Sequence, residues 1–152
     1  MAAAASRQTV CTACGSVNRV PDDKPAAAAK CGRCGEPLGL DHPAEVDDAL
    51  LSKMLEKTTG LILLDVWAPW CGPCRAMAPQ FASAAKALAG EARLVKLNAD
   101  NSQMVRHLGV SGIPALILFR DGRIIDRKAG LMSAEMLAHW VRDHSHPAST
   151  HS

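Results

Sequence analysis

An α/β domain with a small metal-binding extension ahead of it is expected for this chain, on three observations. From about residue 46 to residue 144, apolar runs of strand length alternate with segments of helical apolar spacing, in the order α-β-α-β-α-β-β-α. Within that region Cys71-Gly72-Pro73-Cys74 follows closely on the apolar run 61–68, where a strand should give way to a helix. Ahead of it lie Cys11-x-x-Cys14 and Cys31-x-x-Cys34 with sixteen residues between the pairs, the spacing of a four-cysteine zinc site.

Composition narrows the field. The 152 residues make one domain of ordinary size, or a small domain with an appendage, and 48% of them are apolar, enough for a core. With three Trp, two Phe and no Tyr, that core must be mainly aliphatic. A formal net charge of +2 is too small to point to a nucleic-acid or membrane partner. Residues 1–5 are alanine-rich, but Ser6, Arg7 and Gln8 interrupt them before a signal-peptide apolar region forms. No stretch approaches the ~20 apolar residues of a membrane span. We expect a cytoplasmic protein, and a monomer. Thiols stay reduced in that compartment, so six cysteines speak for metal binding or catalysis over a disulfide framework.

In chain order, residues 7–40 have little hydrophobic content and are organised by the two cysteine pairs. Each pair would supply two thiolates to one tetrahedral metal, while Gly15, Gly32 and Gly35 permit the tight turns that aim N–H groups at sulfur. The intervening 17–30, with Pro21, Pro25 and four alanines, reads as a small ribbon or loop. Metal binding should supply most of its folding energy, with one structural zinc per chain; two disulfides, or iron in place of zinc, are the alternatives. Basic Arg7, Arg19, Lys24, Lys30 and Arg33 stand against Asp22, Asp23, Glu36 and Asp41, with no aromatic residue to stack a base, which argues against nucleic acid. Residues 35–45, with Pro37, Gly39 and Pro43, read as a linker. The units expected are therefore a zinc-binding extension over 1–40, a catalytic domain over 41–145 and a disordered tail over 146–152.

Residues 46–57 carry Leu50, Leu51, Met54 and Leu55 at helical spacing, with Asp47 and Asp48 near the start, where acidic side chains suit the helix dipole; Gly60 ends the segment. The nearly continuous apolar run 61–67 suits a central strand buried on both faces. Pro73 suits the first turn of the next helix, which should run to about residue 90, kink at Pro79 and bury Met77, Phe81, Ala84, Ala85 and Leu88. Residues 93–98 alternate as a strand with Leu94 and Leu97 on opposite faces, and Asn101 should cap a short helix to His107. Ile113-Pro114 leads into the strand 115–119 and is a candidate cis peptide, with an ordinary trans bond as the alternative. Asp121-Gly122 supplies the positive φ of a hairpin turn to the return strand 124–128. Ser133 should cap a last helix whose Met136, Leu137, Trp140 and Val141 face inward, ahead of a frayed polar tail carrying His144, His146 and His151. His42, His107 and His139 lack ligand spacing and read as surface residues.

The chemistry concentrates at residues 65–74. A thiol at a helix start meets unpaired backbone N–H groups and the positive end of the dipole, so Cys71 should be a nucleophile of depressed pKa. Cys74, one turn on, can close a disulfide with it; a zinc half-site or two inert thiols are the bland alternatives. Asp65 is the anomaly of its strand, a carboxylate whose pKa burial should raise. Either a backbone or water hydrogen bond satisfies it, or it exchanges protons with Cys74; the cost of unpaired buried charge favours the second. Lys96 is either solvated at a strand edge or a charge that tunes Asp65.

The run Asp65-Val66-Trp67-Ala68-Pro69-Trp70-Cys71-Gly72-Pro73-Cys74-Arg75 closely resembles the active-site segment of the thioredoxin family. Gly112-Ile113-Pro114 resembles that family's cis-proline loop, and Gly130 stands where the family has a glycine near the substrate surface. The cysteine quartet resembles the zinc-binding extension of the bacterial thioredoxin 2 subgroup. The resemblance spans about two-thirds of the chain and implies the thioredoxin fold, a central mixed sheet flanked by helices. It implies protein-disulfide reduction by dithiol–disulfide exchange. Cys71 would attack a client disulfide, and Cys74, deprotonated with help from Asp65 close to Lys96, would resolve the mixed disulfide. Thioredoxin reductase would restore the dithiol with electrons from NADPH, and no organic cofactor would be bound. Trp70, Gly72, Pro73, Ile113, Pro114 and Gly130 would form the surface that docks the client. The chain departs from the family in two places: 38–46 is a short, interrupted stand-in for the usual first strand, and Val66 stands where an aromatic residue is common. A disulfide isomerase or oxidase shares the fold, but Gly72-Pro73 lacks the histidine usual between the cysteines of those relatives. A zinc-dependent redox sensor or holdase would need the quartet and not Cys71 and Cys74.

Overall fold

A computed structural model of the chain describes residues 6–21, 23 and 28–145. Expectations placed on residues 1–5, on Asp22, Lys24 and Pro25, and on the tail 146–152 with His146 and His151 lie outside the described residues.

The extension is built on a two-stranded antiparallel ribbon, β1 (Ser6–Val10) with β2 (Val17–Pro21). Its first strand precedes the stretch expected to form it, because the first cysteine pair occupies the turn between the strands. Both pairs adopt the same turn. The Cys11 N–H donates to the Ser16 carbonyl and the Gly15 N–H to the Cys11 carbonyl; Cys31, Glu36 and Gly35 repeat the pattern.

The main sheet contains β3 (Ala44–Val46), β4 (Leu61–Trp67), β5 (Ala92–Asn98), β6 (Ala115–Arg120) and β7 (Arg123–Ala129), in the order β3-β5-β4-β6-β7. β5 runs parallel to both β3 and β4, while β6 is antiparallel to β4 and to β7. The sheet is therefore mixed, as expected. Four helices accompany it among the described residues: α1 (Asp48–Lys57), α2 (Gly72–Ala87), α3 (Met104–His107) and α4 (Ala134–Asp143). Central β4 is buried on both faces. Leu61 and Leu63 pack with Met77, Phe81 and Leu88 near α2 and with Leu137 and Val141 of α4, whereas Ile62, Leu64 and Val66 pack with Leu51 and Met54 of α1. Leu94 and Leu97 fall on opposite faces, in the first and second of these clusters.

Several boundaries differ from the sequence reading, each for a physical reason. Val46 belongs to the three-residue β3, so α1 starts at Asp48, with Asp47 as its cap accepting the Leu50 N–H at 2.8 Å. Asn101 caps nothing: it lies in a short 3-10 turn (Ala99–Asn101) capped by Asn98. α3 takes its cap from far away, since the Asp48 carboxylate accepts the Gln103 N–H at 2.7 Å and the Met104 N–H at 3.3 Å. α2 continues through Pro79, as expected, but ends at Ala87, with Leu88 as its cap. In α4, Met136 is exposed rather than inward, because the stripe that meets the sheet is Leu137, Ala138, Trp140 and Val141. His144 is not frayed. Asp126 Oδ2 lies 2.9 Å from its Nε2 and also accepts the Trp140 indole N–H at 2.7 Å.

The ribbon is docked on the domain by its backbone. The Thr59 N–H donates to the Gln8 carbonyl at 2.7 Å, the Gln8 N–H to Thr59 Oγ1 at 3.2 Å and the Val10 N–H to Thr58 Oγ1 at 3.3 Å. Val10 enters the α1-side core, while Val20, Ala29 and Leu38 cluster with Cys11 and Cys31. The Arg93 guanidinium donates to the Leu38 carbonyl across a small cavity of about 120 Å³ between ribbon and domain. No helix among the described residues is long and apolar enough to cross a membrane.

Candidate active site and metal centre

At the C-terminal end of β4 the chain turns through Ala68-Pro69-Trp70 into α2. Cys71 is the cap of that helix: its Sγ accepts the Cys74 N–H at 3.2 Å, one of the amides that a helix start leaves unpaired. Cys71 and Cys74 are joined as a disulfide with their Cα atoms 5.2 Å apart, which removes the readings as a zinc half-site or inert thiols. Both are buried and cluster with Ala68, with Trp67 and Ile113 packed against them. The Ile113 carbonyl oxygen lies 3.9 Å from Cys71 Sγ, and the Ile113-Pro114 bond is cis. Pro114 is buried, and its carbonyl accepts the Gly130 N–H at 3.1 Å. Gly72 and Pro73 are exposed in the first turn of α2. On the other flank Trp70 is 67% exposed, its indole N–H donating to Asp100 Oδ1 at 3.0 Å.

Beneath this surface Asp65 is 1% exposed, and among the described residues neither carboxylate oxygen accepts a hydrogen bond. No protein donor among the described residues therefore satisfies it. Alternation along β4 sets Asp65 on the face of Leu61 and Leu63, the face α2 covers, between Leu63 in the core and Trp67 against the disulfide. Burial pushes its carboxyl up to about 7; Lys96 pulls the other way, and Glu45 adds to the rise. Lys96 is not at a sheet edge, because β3 covers β5. Its ammonium lies 4.5 Å from the Trp67 ring centroid and 3.9 Å from Glu45 Oε2.

The sulfurs of Cys11, Cys14, Cys31 and Cys34 all lie within 4.8 Å of one another, with Cys11 and Cys34 at 3.7 Å and Cys14 and Cys31 at 3.6 Å. None of the four is in a disulfide, which removes that alternative. Tetrahedral zinc with Zn–S of about 2.3 Å needs sulfurs about 3.8 Å apart, so the set fits the ion. Donors already face Cys31: the Cys34 backbone N–H, the Asn18 amide and the Arg33 backbone N–H push its thiol down to about 6, whereas at Cys34, against a lowering Glu36 backbone hydrogen bond, burial and the neighbouring sulfurs push the thiol up to about 12.

The sequence reading missed Asp100 and Asn18. Asn18 sits between the cysteine pairs, where a polar residue within ligand reach was a usable signal. Asp100 follows the strand parallel to β4 and so lands beside the end of β4, which is legible only once the strand order is known.

Comparisons with known proteins agree with this geometry. The thioredoxin family model matches residues 42–143, and the model for the N-terminal zinc ribbon of thioredoxin 2 matches residues 10–36. Thioredoxin C-3 of Corynebacterium nephridii is 33% identical over 133 residues, covering 87% of this chain and 91% of that protein. The thioredoxin of Pseudomonas aeruginosa is 39% identical over 99 residues, covering 64% of this chain and 92% of its own. Among solved structures, a mutant thioredoxin from Halobacterium salinarum NRC-1 matches with a TM-score of 0.63 at 28% identity, over 70% of this chain and 93% of that one.

Proposed function

Because this chain belongs to the thioredoxin family, it is a protein-disulfide oxidoreductase working by dithiol–disulfide exchange, and we propose that Cys71 attacks, Cys74 resolves and Asp65 takes the proton. The Cys71 thiolate displaces one sulfur of a client disulfide and forms a mixed disulfide. Cys74 passes its proton to the Asp65 carboxylate, and the thiolate so formed attacks Cys71 Sγ. The Cys71–client bond breaks, and its electron pair leaves with the client sulfur. The client gains two electrons, and the chain ends with Cys71 and Cys74 joined. Thioredoxin reductase then restores the dithiol with electrons from NADPH.

One observation carries the assignment of Asp65: a sealed carboxylate with no hydrogen-bond partner among the described residues, on the face of β4 that α2 covers. A group held near pH 7 can both accept and return a proton under neutral conditions. Exposed Trp70, Gly72 and Pro73, with half-buried Ile113 and Gly130 on the opposite flank, serve as the client-docking surface, and buried Pro114 shapes that flank from beneath. Lys96 tunes Asp65. A reducing compartment such as the cytoplasm suits this chemistry and keeps the quartet available for metal.

Residues 41–145 are the catalytic unit and 1–40 the zinc unit, with one structural zinc held by Cys11, Cys14, Cys31 and Cys34. Zinc would supply the folding free energy of the extension. The ribbon meets the starts of β4 and β5 near Thr59 and Arg93, whereas the disulfide follows the far end of β4. Seven residues at about 3.3 Å each put roughly 20 Å between them, which supports a structural role.

The test is insulin reduction with thioredoxin reductase and NADPH. Wild type should turn over, Cys71→Ser should abolish activity, and Cys74→Ser should accumulate the mixed disulfide on gels. Activity surviving Cys71→Ser would falsify the assignment.

A further inference from the structure

We infer that Glu45 is a positioning residue for the proton step: it holds the Lys96 ammonium toward the sheet edge and so keeps Asp65 a stronger base than an unrestrained Lys96 would allow. The inference rests on the reading of Asp65 as the proton acceptor.

The geometry is a row of charge across three neighbouring strands. Glu45 on β3 is in register with Lys96 on β5, and Lys96 is in register with Asp65 on β4. Residues in register on adjacent strands project from the same face, so the three side chains share the α2-covered face. Their exposure is graded. Asp65 is sealed, the Lys96 side chain is 17% exposed and the Glu45 side chain 61%. Among the described residues Lys96 makes its ion pair with the outer Glu45, at 3.9 Å, and none with the inner Asp65. Trp67 holds the ammonium from beneath, 4.5 Å from the ring centroid.

A cation drawn onto Asp65 would stabilise its carboxylate and make it a poorer proton acceptor. Ionised Glu45 opposes this twice, by engaging the ammonium and by adding a negative charge two strands away, at about 10 Å. On the side away from Lys96 the row continues through apolar Leu116 of β6 to one more cation, Lys128 of β7, two strands from Asp65, which the Trp140 ring engages. The core stripe of α4 is uncharged, α2 contributes Cys74, and the Arg75 side chain is bound to the Pro69 carbonyl. The charges that act on Asp65 are those of Lys96 and Glu45.

The experiment is a carbon-detected NMR titration of the Asp65 carboxyl in the reduced, zinc-loaded full chain, comparing wild type with Glu45→Gln. The Asp65 midpoint should fall by about 0.3 to 1 pH unit at low salt, and the gap should shrink at high salt because Glu45 is solvent-exposed. The acid limb of insulin turnover should move down with it, at unchanged client KM. Glu45→Asp should restore most of the wild-type midpoint. In a Lys96→Met background the Glu45→Gln shift should be smaller. An unmoved or raised midpoint overturns the inference, and so does an equal shift without Lys96. Failure of the underlying reading is distinguishable: there Asp65→Asn would leave the turnover–pH profile intact, whatever Glu45 does to the Asp65 titration.

Discussion

Asp65 keeps its proton into the neutral range because burial withholds the water that would solvate a carboxylate, and no hydrogen bond among the described residues replaces it. The consequence for stability has a definite sign. Its folded pKa of about 7 lies above the ordinary 3.8, so between those values the folded state binds more protons than the unfolded state. This contribution to stability is fully present below pH 3.8 and is lost as pH rises through 7. Asp65→Asn should therefore stabilise the folded protein at pH 8 by up to about 4 kcal/mol, flatten stability between pH 4 and 7, and slow turnover. Urea unfolding at pH 5 and pH 8 checks it; an unchanged difference between the two pH values would remove Asp65 from the account. The opposite flank of the site is a matter of single residues too. Trp70 can stay 67% exposed in one orientation because Asp100 accepts its indole N–H.

Among elements, the β6–β7 hairpin shows how a local signal and a distant contact add. Asp121 and Gly122 adopt φ of 50° and 84°, as the Asp-Gly pair predicts for a two-residue turn. The turn is also fastened to the start of β4, with the Gly60 N–H donating to Asp121 Oδ1 at 2.7 Å. A side chain at Gly122 would run into the Leu55 carbonyl of α1, whereas one at Gly60, also at positive φ, would meet open space. Gly60→Ala should cost about 1–2 kcal/mol from conformation alone. Gly122→Ala should cost about 2–4 kcal/mol, because α1 or the turn must also move. Equal shifts in the urea midpoints of the two variants would show that the Leu55 contact relaxes freely.

For the molecule as a whole, the ribbon that carries the cysteine quartet docks beside the start of β4, while the disulfide follows the far end of that strand. Removing zinc should release the ribbon, including buried Val10, whose burial is worth about 1.5–2 kcal/mol. For a domain of this size that lowers the melting midpoint by roughly 5–15 °C. Amide exchange at Val10 and Thr59, which bridge ribbon and domain, should rise sharply, while insulin reduction persists below the new midpoint. Metal analysis of chelator-free protein should find one zinc per chain. An apo protein with unchanged melting and exchange would mean that the ribbon holds without metal.

Most of the local chemistry was legible in the chain: the cysteine pair at a strand–helix junction, the quartet, the Asp121-Gly122 turn and the Ser133 cap. Each is set by residues within a few positions of one another, where spacing and backbone preference suffice. What could not be read were pairings between distant segments. Asp48 caps α3 from more than fifty residues away, Asp126 ties down His144, and Asp100 meets Trp70. Lys96 stayed open between a solvated edge residue and a charge near Asp65, because a three-residue strand is too short to announce itself. Hydrophobic periodicity states which face of a strand is buried but not which strand lies beside it, so the row Glu45–Lys96–Asp65 exists only through the order β3-β5-β4. The reactive groups were thus written into neighbouring residues, while the burial that raises the proton affinity of Asp65, and the charges that adjust it, were assembled by long-range packing.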